Sequence, residues 1–377
     1  MGPVSGSGIR IGRIFGIPIY LDFSWFLIFA LITYSLAKQL GMEHPGWTEN
    51  QRWTLGVITS ALFFASVVIH ELGHSVVALH YRLPVLSITL FVFGGLARIS
   101  REPESSKQEF NIAVAGPATS FLLSGGFYLV GWLARDVPMI AATADWLGEI
   151  NFILAAFNLV PGFPLDGGRV LRAIAWGITK DFTRATRVAS RGGEIFAYLI
   201  IFMGIWQALS RNLMGGLWLV FIGWFLLSAA RESYAQVAIR TTLQGLRAGD
   251  VMTHEVPAVP RDISLEDYVH EVLRTGRRFH IVTGNGEPVG LITVHAVSQF
   301  PREEWANTSV QAAMVPRDKI HWAAPEEPVL RVLERMQTED LNQMPVMSNS
   351  HVVGLISRDS ILRVMQTRLR VEHLAEQ

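Results

Sequence analysis

The chain has 377 residues, of which 50% are hydrophobic and only 17% charged, and its formal net charge is zero, so whole-chain charge gives no footing for a nucleic-acid partner or an acidic substrate. Cysteine is absent, which excludes disulfides, thiol nucleophiles and thiolate zinc sites and leaves His, Asp and Glu as metal ligands. Mean hydropathy is +0.31, and the apolar residues fall almost wholly before about residue 232, the pattern of a membrane-spanning half followed by a polar one.

At the N-terminus, Arg10 and Arg13 precede the apolar residues 15–21. Asp22 interrupts that run and no small-residue cleavage pattern follows, so the segment is expected to be retained rather than removed as a signal peptide. Apolar runs then occupy residues 23–37, 53–69, 111–134, 150–165, 195–210 and 212–230. With their flanks they predict about six membrane-spanning helices. Arg10, Arg13, Arg82, Arg98, Arg101, Lys107, the basic residues of 169–191 (Arg172 among them), Arg231 and Arg240 gather on one side of these spans, against Lys38, Arg52, Arg135 and Arg211 on the other. Because Lys and Arg in short loops favour the cytoplasm, the chain is expected to be a multi-pass protein of the cell membrane with both termini cytoplasmic.

The second run ends in His70-Glu71-Leu72-Gly73-His74. Histidines four residues apart share a helical face, so two imidazoles can hold one Zn2+ while the Glu between them serves as general base. Ionisable groups closing so apolar a run are costly to insert and are functional candidates. Residues 87–100 (SITLFVFGGLARIS) are rich in β-branched and aromatic side chains around Gly94 and Gly95, which suits a short membrane-associated β-hairpin. Its free edge can receive an extended peptide, and a re-entrant structural loop is the other reading.

A hydrolytic zinc site takes a third protein ligand and keeps one position open. Asp166 is the candidate, closing the fourth apolar run in NLVPGFPLDGGR. Pro161 and Pro164 break the helix, and Gly167 and Gly168 let the backbone turn, so the carboxylate can be aimed at a neighbouring helix. His80, six residues past His74, is rotated off the shared face. A helix cap is the alternative role for Asp166. Further on, residues 250–294 are echoed by 313–358. Each copy reads as a β-α-β-β-α unit ending in a Gly-Leu-Ile-Thr/Ser strand. The expected fold class is an α-helical polytopic membrane domain over residues 1–232, followed by a soluble α/β pair with repeats at 245–300 and 308–368.

On HELGH at His70 to His74 and NLVPGFPLDGG at Asn158 to Gly168, the chain resembles the site-2 protease family of intramembrane zinc metalloproteases over residues 10–230. Its tail is similar to the tandem cystathionine-β-synthase-type (CBS) pair of one subgroup. The resemblance implies one zinc per chain held by His70, His74 and Asp166, with Glu71 as general base and Asn158 holding the substrate or developing oxyanion. It further implies that Gly94 and Gly95 belong to a membrane-inserted, substrate-pairing strand, and that Gly116-Pro117 lies where the family breaks its third span. The substrate it implies is a membrane-tethered regulator such as an anti-sigma or pro-sigma factor, already trimmed by another protease.

CBS repeats often carry a Thr or Ser followed three residues later by an Asp that contacts a nucleotide ribose. The first copy has Thr293 but Ala296; the second has Ser357, with Asp359 one place early and Ser360 in the expected position. Binding of ATP or AMP at Thr293, Ser357 and Asp359 and a structural or homodimerising role for the pair both stand open. The expected function is hydrolysis of peptide bonds within or near a transmembrane helix, modulated by the CBS pair. The alternative, a CBS-gated transporter or channel with an intramembrane His/Glu/Asp ion pathway, needs further acidic residues in other spans. The apolar runs offer only Asp22 and Glu194, near span ends.

Overall fold

Six helices of the described chain are long and apolar enough to cross a bilayer, and their limits follow from where polar punctuation lets a helix start. The computed structural model describes residues 8–375 apart from Arg211, Arg278 and Ser350, and leaves aside the side chains of residues 369 and 371–375. Arg211, counted above among the basic residues of the sparser side, and residues 1–7 of the expected first domain lie outside that set. Two units are distinguished, residues 4–237 and residues 238–377.

In the first unit, β1 (Gly8–Ile14) and β2 (Ile17–Asp22) form a hairpin ahead of α1 (Phe23–Glu43) and α2 (Glu49–His80). After β3 (Val85–Phe91) and β4 (Gly94–Ile99) come α3 (Ser106–Leu133), α4 (Pro138–Asn158), α5 (Asp166–Thr179), α6 (Phe182–Ser210) and α7 (Leu213–Leu243), whose residues from 238 on belong to the second unit. The hairpin expected around Gly94 and Gly95 is present, but it is half of a four-stranded sheet of order β1-β2-β3-β4, in which β2 runs parallel to β3. That sheet lies along α2. Ile17 and Ile88 pack on Leu72, and Leu21 and Leu90 pack on Phe64 and Val67. Asp22 caps α1 by accepting the Ser24 N–H at 2.9 Å, and Ser24 Oγ in turn accepts the Val92 N–H at 3.1 Å. The β3–β4 turn is thereby tied to the start of the first span.

Several expected limits shift. Helix α2 continues through His70 and His74 to His80, because the sheet covers the side it would otherwise expose. Helix α3 passes Pro117 without ending, so the break implied at Gly116-Pro117 is absent. Helix α4 begins at Pro138, a residue suited to a first helical turn, and ends at Asn158 rather than running over residues 150–165. The earlier start brings Asp145 and Glu149 into a candidate span, both exposed, and Glu109 lies buried in α3. Acidic residues within the spans are therefore more numerous than the apolar runs implied. Arg172 is likewise buried rather than a loop charge, and residues 232–243 are helical as the end of α7.

The second unit contains α8 (Ala248–Val251), β5 (Ala258–Pro260), α9 (Leu265–Thr275), β6 (Phe279–Gly284), β7 (Glu287–Thr293) and α10 (Val294–Val297). Then follow α11 (Val310–Ala313), β8 (Val315–Pro316), α12 (Val329–Thr338), β9 (Gln343–Ser348), β10 (His351–Ser357) and α13 (Arg358–Ala375). The repeats exchange their leading segments. Leu243, Leu246, Ala248 and Val251 join the core built on Val332, Met336 and Ile356, while Val310 joins the core of Leu265, Tyr268 and Ile292. Neither repeat completes a hydrophobic core without the other.

One buried ionisable group in this unit gives a pH dependence. His280 on β6 is 1% exposed, with Nδ1 3.4 Å from the Tyr268 hydroxyl. Burial holds its imidazole below the ordinary 6.5, Glu271 opposing the shift and Arg277 reinforcing it. The unfolded chain binds a proton there as the pH drops below that value while the folded chain does not, so stability present above about pH 6.5 is lost as the pH falls through the folded value. Hydrogen-exchange protection of β6 in the full-length protein, corrected for intrinsic rates, should fall as the pH drops below about 6.5. His280→Phe should flatten that fall, and equal slopes in the two proteins would contradict the assignment.

Candidate metal centre

His70 and His74 stand one turn apart on α2 and are 3% and 4% exposed. Helix α3 holds both rings from behind. His74 Nδ1 donates to the Ile112 carbonyl at 2.7 Å, and His70 Nδ1 lies 2.9 Å from Ser120 Oγ. A carbonyl only accepts, so the His74 proton sits on Nδ1 and Nε2 keeps a free lone pair. Between these two supports lies Gly116, where a Cβ would stand 2.1 Å from His74 Nε2 and 2.7 Å from His70 Nε2. Ile112, Gly116 and Ser120 are spaced by four, so a single stripe of α3 supplies an acceptor, a gap and a hydroxyl.

Asp166 arrives from another element. After α4, residues 159–165 double back so closely that a Cβ on Gly167 would meet the Leu159 carbonyl carbon at 2.4 Å, and one on Gly168 would meet Phe163 N at 2.4 Å. Only glycine permits that approach at these two places. Asp166 occupies the first turn of α5, but its carboxylate turns to the imidazoles: Oδ2 is 3.2 Å from His70 Nε2 and 3.1 Å from His74 Nε2, and the two ring nitrogens are 3.3 Å apart. Among the described residues, His70, His74 and Asp166 form a group whose ligand atoms all lie within 4.8 Å of one another. Ligands about 2.0–2.1 Å from a tetrahedral centre stand ~3.3–3.4 Å apart. The donor set and the cradle left by Gly116 therefore fit a zinc ion.

Glu71 stays outside this group. Its Oε2 accepts the Ala97 N–H of β4 at 3.2 Å, and a Cβ on Gly95 would stand 2.5 Å from its Cγ. Since, among the described residues, β4 pairs only with β3, an Ala97 N–H that reaches Glu71 belongs to the outer edge of the sheet. Gly94, at φ +129, opens the strand after the turn. Asn158 ends α4, half-buried, and makes no hydrogen bond to the cluster. His80 is exposed at the end of α2. In the tail, Thr293 accepts the Ala296 N–H at 3.3 Å and Ser357 accepts the Ser360 N–H at 3.0 Å, so both hydroxyls are engaged as helix caps, and Asp359 is exposed. Sequence reasoning missed Ser120 and the Ile112 carbonyl; the four-residue spacing from Gly116 was the available signal.

Gly116→Ala should force the imidazoles apart and drop the zinc content of the purified protein well below one per chain. Metal analysis checks this, and a variant that holds one zinc as firmly as the wild type would show that the cradle is not needed.

Residues 58–145 and 134–203 match the Peptidase family M50 profile, and residues 248–302 and 312–367 match that of the CBS domain. The chain is 35% identical over 373 residues to a candidate zinc metalloprotease of Synechocystis sp., covering 97% of each chain. It is 34% identical over 366 residues to the candidate zinc metalloprotease Rip3 of Mycobacterium tuberculosis, covering 95% of this chain and 92% of that one. Among solved structures, the site-2 protease from Methanocaldococcus jannaschii aligns at 29% identity with a TM-score of 0.42, over 60% of this chain and 95% of that one. With full-length relatives at this identity, the chain belongs to peptidase family M50, the site-2 proteases, and is a membrane zinc metalloprotease with a tandem CBS pair.

Proposed function

We propose that this protease cuts peptide bonds within or beside a transmembrane helix of a membrane-tethered regulatory protein, with zinc held by His70, His74 and Asp166 and Glu71 as general base. The observation that carries the reading is the meeting of two imidazoles and one carboxylate at 3.1–3.3 Å, with a second carboxylate beside His70 left out of the cluster. When bound, zinc supplies Lewis-acid polarisation of the scissile carbonyl and lowers the pKa of a coordinated water. Ile112 and Ser120 fix the two rings, and Asp166 closes the protein's side of the site. Glu71 takes the proton of the attacking water and delivers it to the leaving amine. Asn158 holds the substrate or the developing oxyanion.

A substrate helix hides its carbonyls in its own hydrogen bonds and must unwind before it is cut. The outer edge of β4, at Gly94 and Gly95, can replace the lost bonds. A strand laid there passes the Glu71 carboxylate, because the outward Ala97 N–H already touches it. The substrate class is the anti-sigma or pro-sigma type of regulator. The CBS pair adjusts the activity, through ATP or AMP at Thr293, Ser357 and Asp359 or through homodimerisation. An even number of candidate spans and the gathering of basic residues support cytoplasmic termini.

Glu71→Gln should keep its zinc and lose cleavage of a reconstituted membrane substrate by at least ~10²-fold; cleavage at the wild-type rate would refute the assignment. Asp166→Ala should release most of the zinc while the spans remain inserted, as read by metal analysis of the detergent-purified protein. Unchanged zinc affinity in that variant would mean that another residue completes the site.

A further inference from the structure

One charged pair inside the membrane-spanning unit takes no part in the chemistry above. Arg172, on α5 six residues past Asp166, reaches Glu109 on α3: its Nε donates to Glu109 Oε1 at 2.7 Å, and its Nη2 donates to the same oxygen. Glu109 is fully buried and Arg172 is 9% exposed. The guanidinium is also sandwiched, 4.9 Å from the ring centroid of Phe163 and 4.7 Å from that of Phe182. Glu109 Oε2 has no partner among the described residues, so the buried carboxylate depends on Arg172 alone.

Two of the groups that Arg172 grips, Phe163 and Glu109, lead to the metal centre. Phe163 lies in the loop that delivers Asp166, and Phe182 opens α6. Glu109 belongs to the buried stripe of α3 that includes Ile112, Gly116 and Ser120, the stripe that holds the two imidazoles. Six residues along a helix is ~9 Å of rise and a turn of about 240°, so Arg172 faces α3 while Asp166 faces α2. Holding Arg172 fixes both the rotation and the height of α5, and with them the place of the Asp166 carboxylate. An apolar contact would hold α5 close to α3 but would let it slide or roll; a fork on a single carboxylate oxygen, stacked between two rings, does not.

We propose that Glu109 and Arg172 are positioning residues for the metal centre, a buried fastener that sets α5 against α3 in the register at which Asp166 meets His70 and His74. This rests on the reading of Asp166 as the third ligand. Displacing a ligand by even about 1 Å exceeds the tolerance of a zinc–oxygen bond near 2.0–2.2 Å, so a loosened fastener should show first in metal retention.

The test uses the full-length protein in detergent, loaded with zinc and then challenged with a chelator, with unfolding temperatures measured in the loaded and metal-free forms. Arg172→Lys keeps the charge and loses the fork and the stacking, while Phe182→Leu keeps the ion pair and removes one stacking face; neither leaves an unpaired buried charge. Both should release zinc faster, by about 10-fold to 100-fold, and the gain in unfolding temperature on zinc loading should shrink in each. Asp166→Ala, measured alongside, should lose that gain altogether. Zinc release at the wild-type rate from folded Arg172→Lys and Phe182→Leu, with the metal-dependent gain intact, would overturn the proposal and leave the pair an ordinary packing contact. If Asp166→Ala itself retains the gain, the ligand reading falls and the proposal falls with it.

Discussion

Three ionisable side chains near the end of an apolar helix are tolerated only if each finds a partner, because an unpaired charge or polar group in such surroundings costs several kcal/mol. Here the partners are helix α3, Asp166 of α5 and the backbone of β4. The Ile112 carbonyl and the Ser120 hydroxyl take the outer ring nitrogens, the inner ones meet Asp166, and Glu71 finds the backbone of β4. This satisfaction is directional. It leaves two imidazole ring nitrogens and one carboxylate oxygen converging on a shared point, which is the requirement for binding a small cation.

Close approach is what makes that arrangement possible, and glycine supplies it. Gly116 lets two rings rest on α3, Gly167 and Gly168 let the loop after α4 fold onto α5, and Gly95 lets β4 lie on Glu71. The same economy appears in the sheet, which leaves β4 as an edge beside Glu71 while its apolar residues pack along α2. In the proposed reading the two imidazoles, Glu71 and the β4 edge are carried by one scaffold, α2 with its sheet, while Asp166 comes from α5 and Asn158 from α4. That division makes the hold on α5 the sensitive part of the site.

The meeting of His70, His74 and Asp166 was legible in the sequence. His70 and His74 share a face at any helical spacing of four, and the Pro and Gly residues around Asp166 announced a carboxylate on a sharp turn. Helix limits were less legible, because hydropathy marks apolar residues and not hydrogen bonding. Residues 159–165 are apolar yet leave the helix, while Asp145 and Glu149 are charged yet lie on α4, so the fourth span was displaced toward the C-terminus. The first two strands went unread since a short apolar stretch behind two arginines carries no period long enough to separate a strand from a leader. Ser120 was signalled only by its four-residue spacing from Gly116, and Glu109 could be found only once α3 was seen against α5. The repeat in the tail was visible as a repeat, but the exchange of leading segments between its halves is a matter of tertiary packing that no local pattern encodes.

The central claim is that one zinc ion is held by two imidazoles of α2 and one carboxylate of α5. X-ray absorption at the zinc edge of the purified full-length protein addresses it most directly. The account predicts one zinc per chain with only nitrogen and oxygen neighbours at about 2.0–2.2 Å, and an outer-shell pattern that counts two imidazoles. Three imidazoles around the metal, or a folded protein that takes up no zinc, would contradict it.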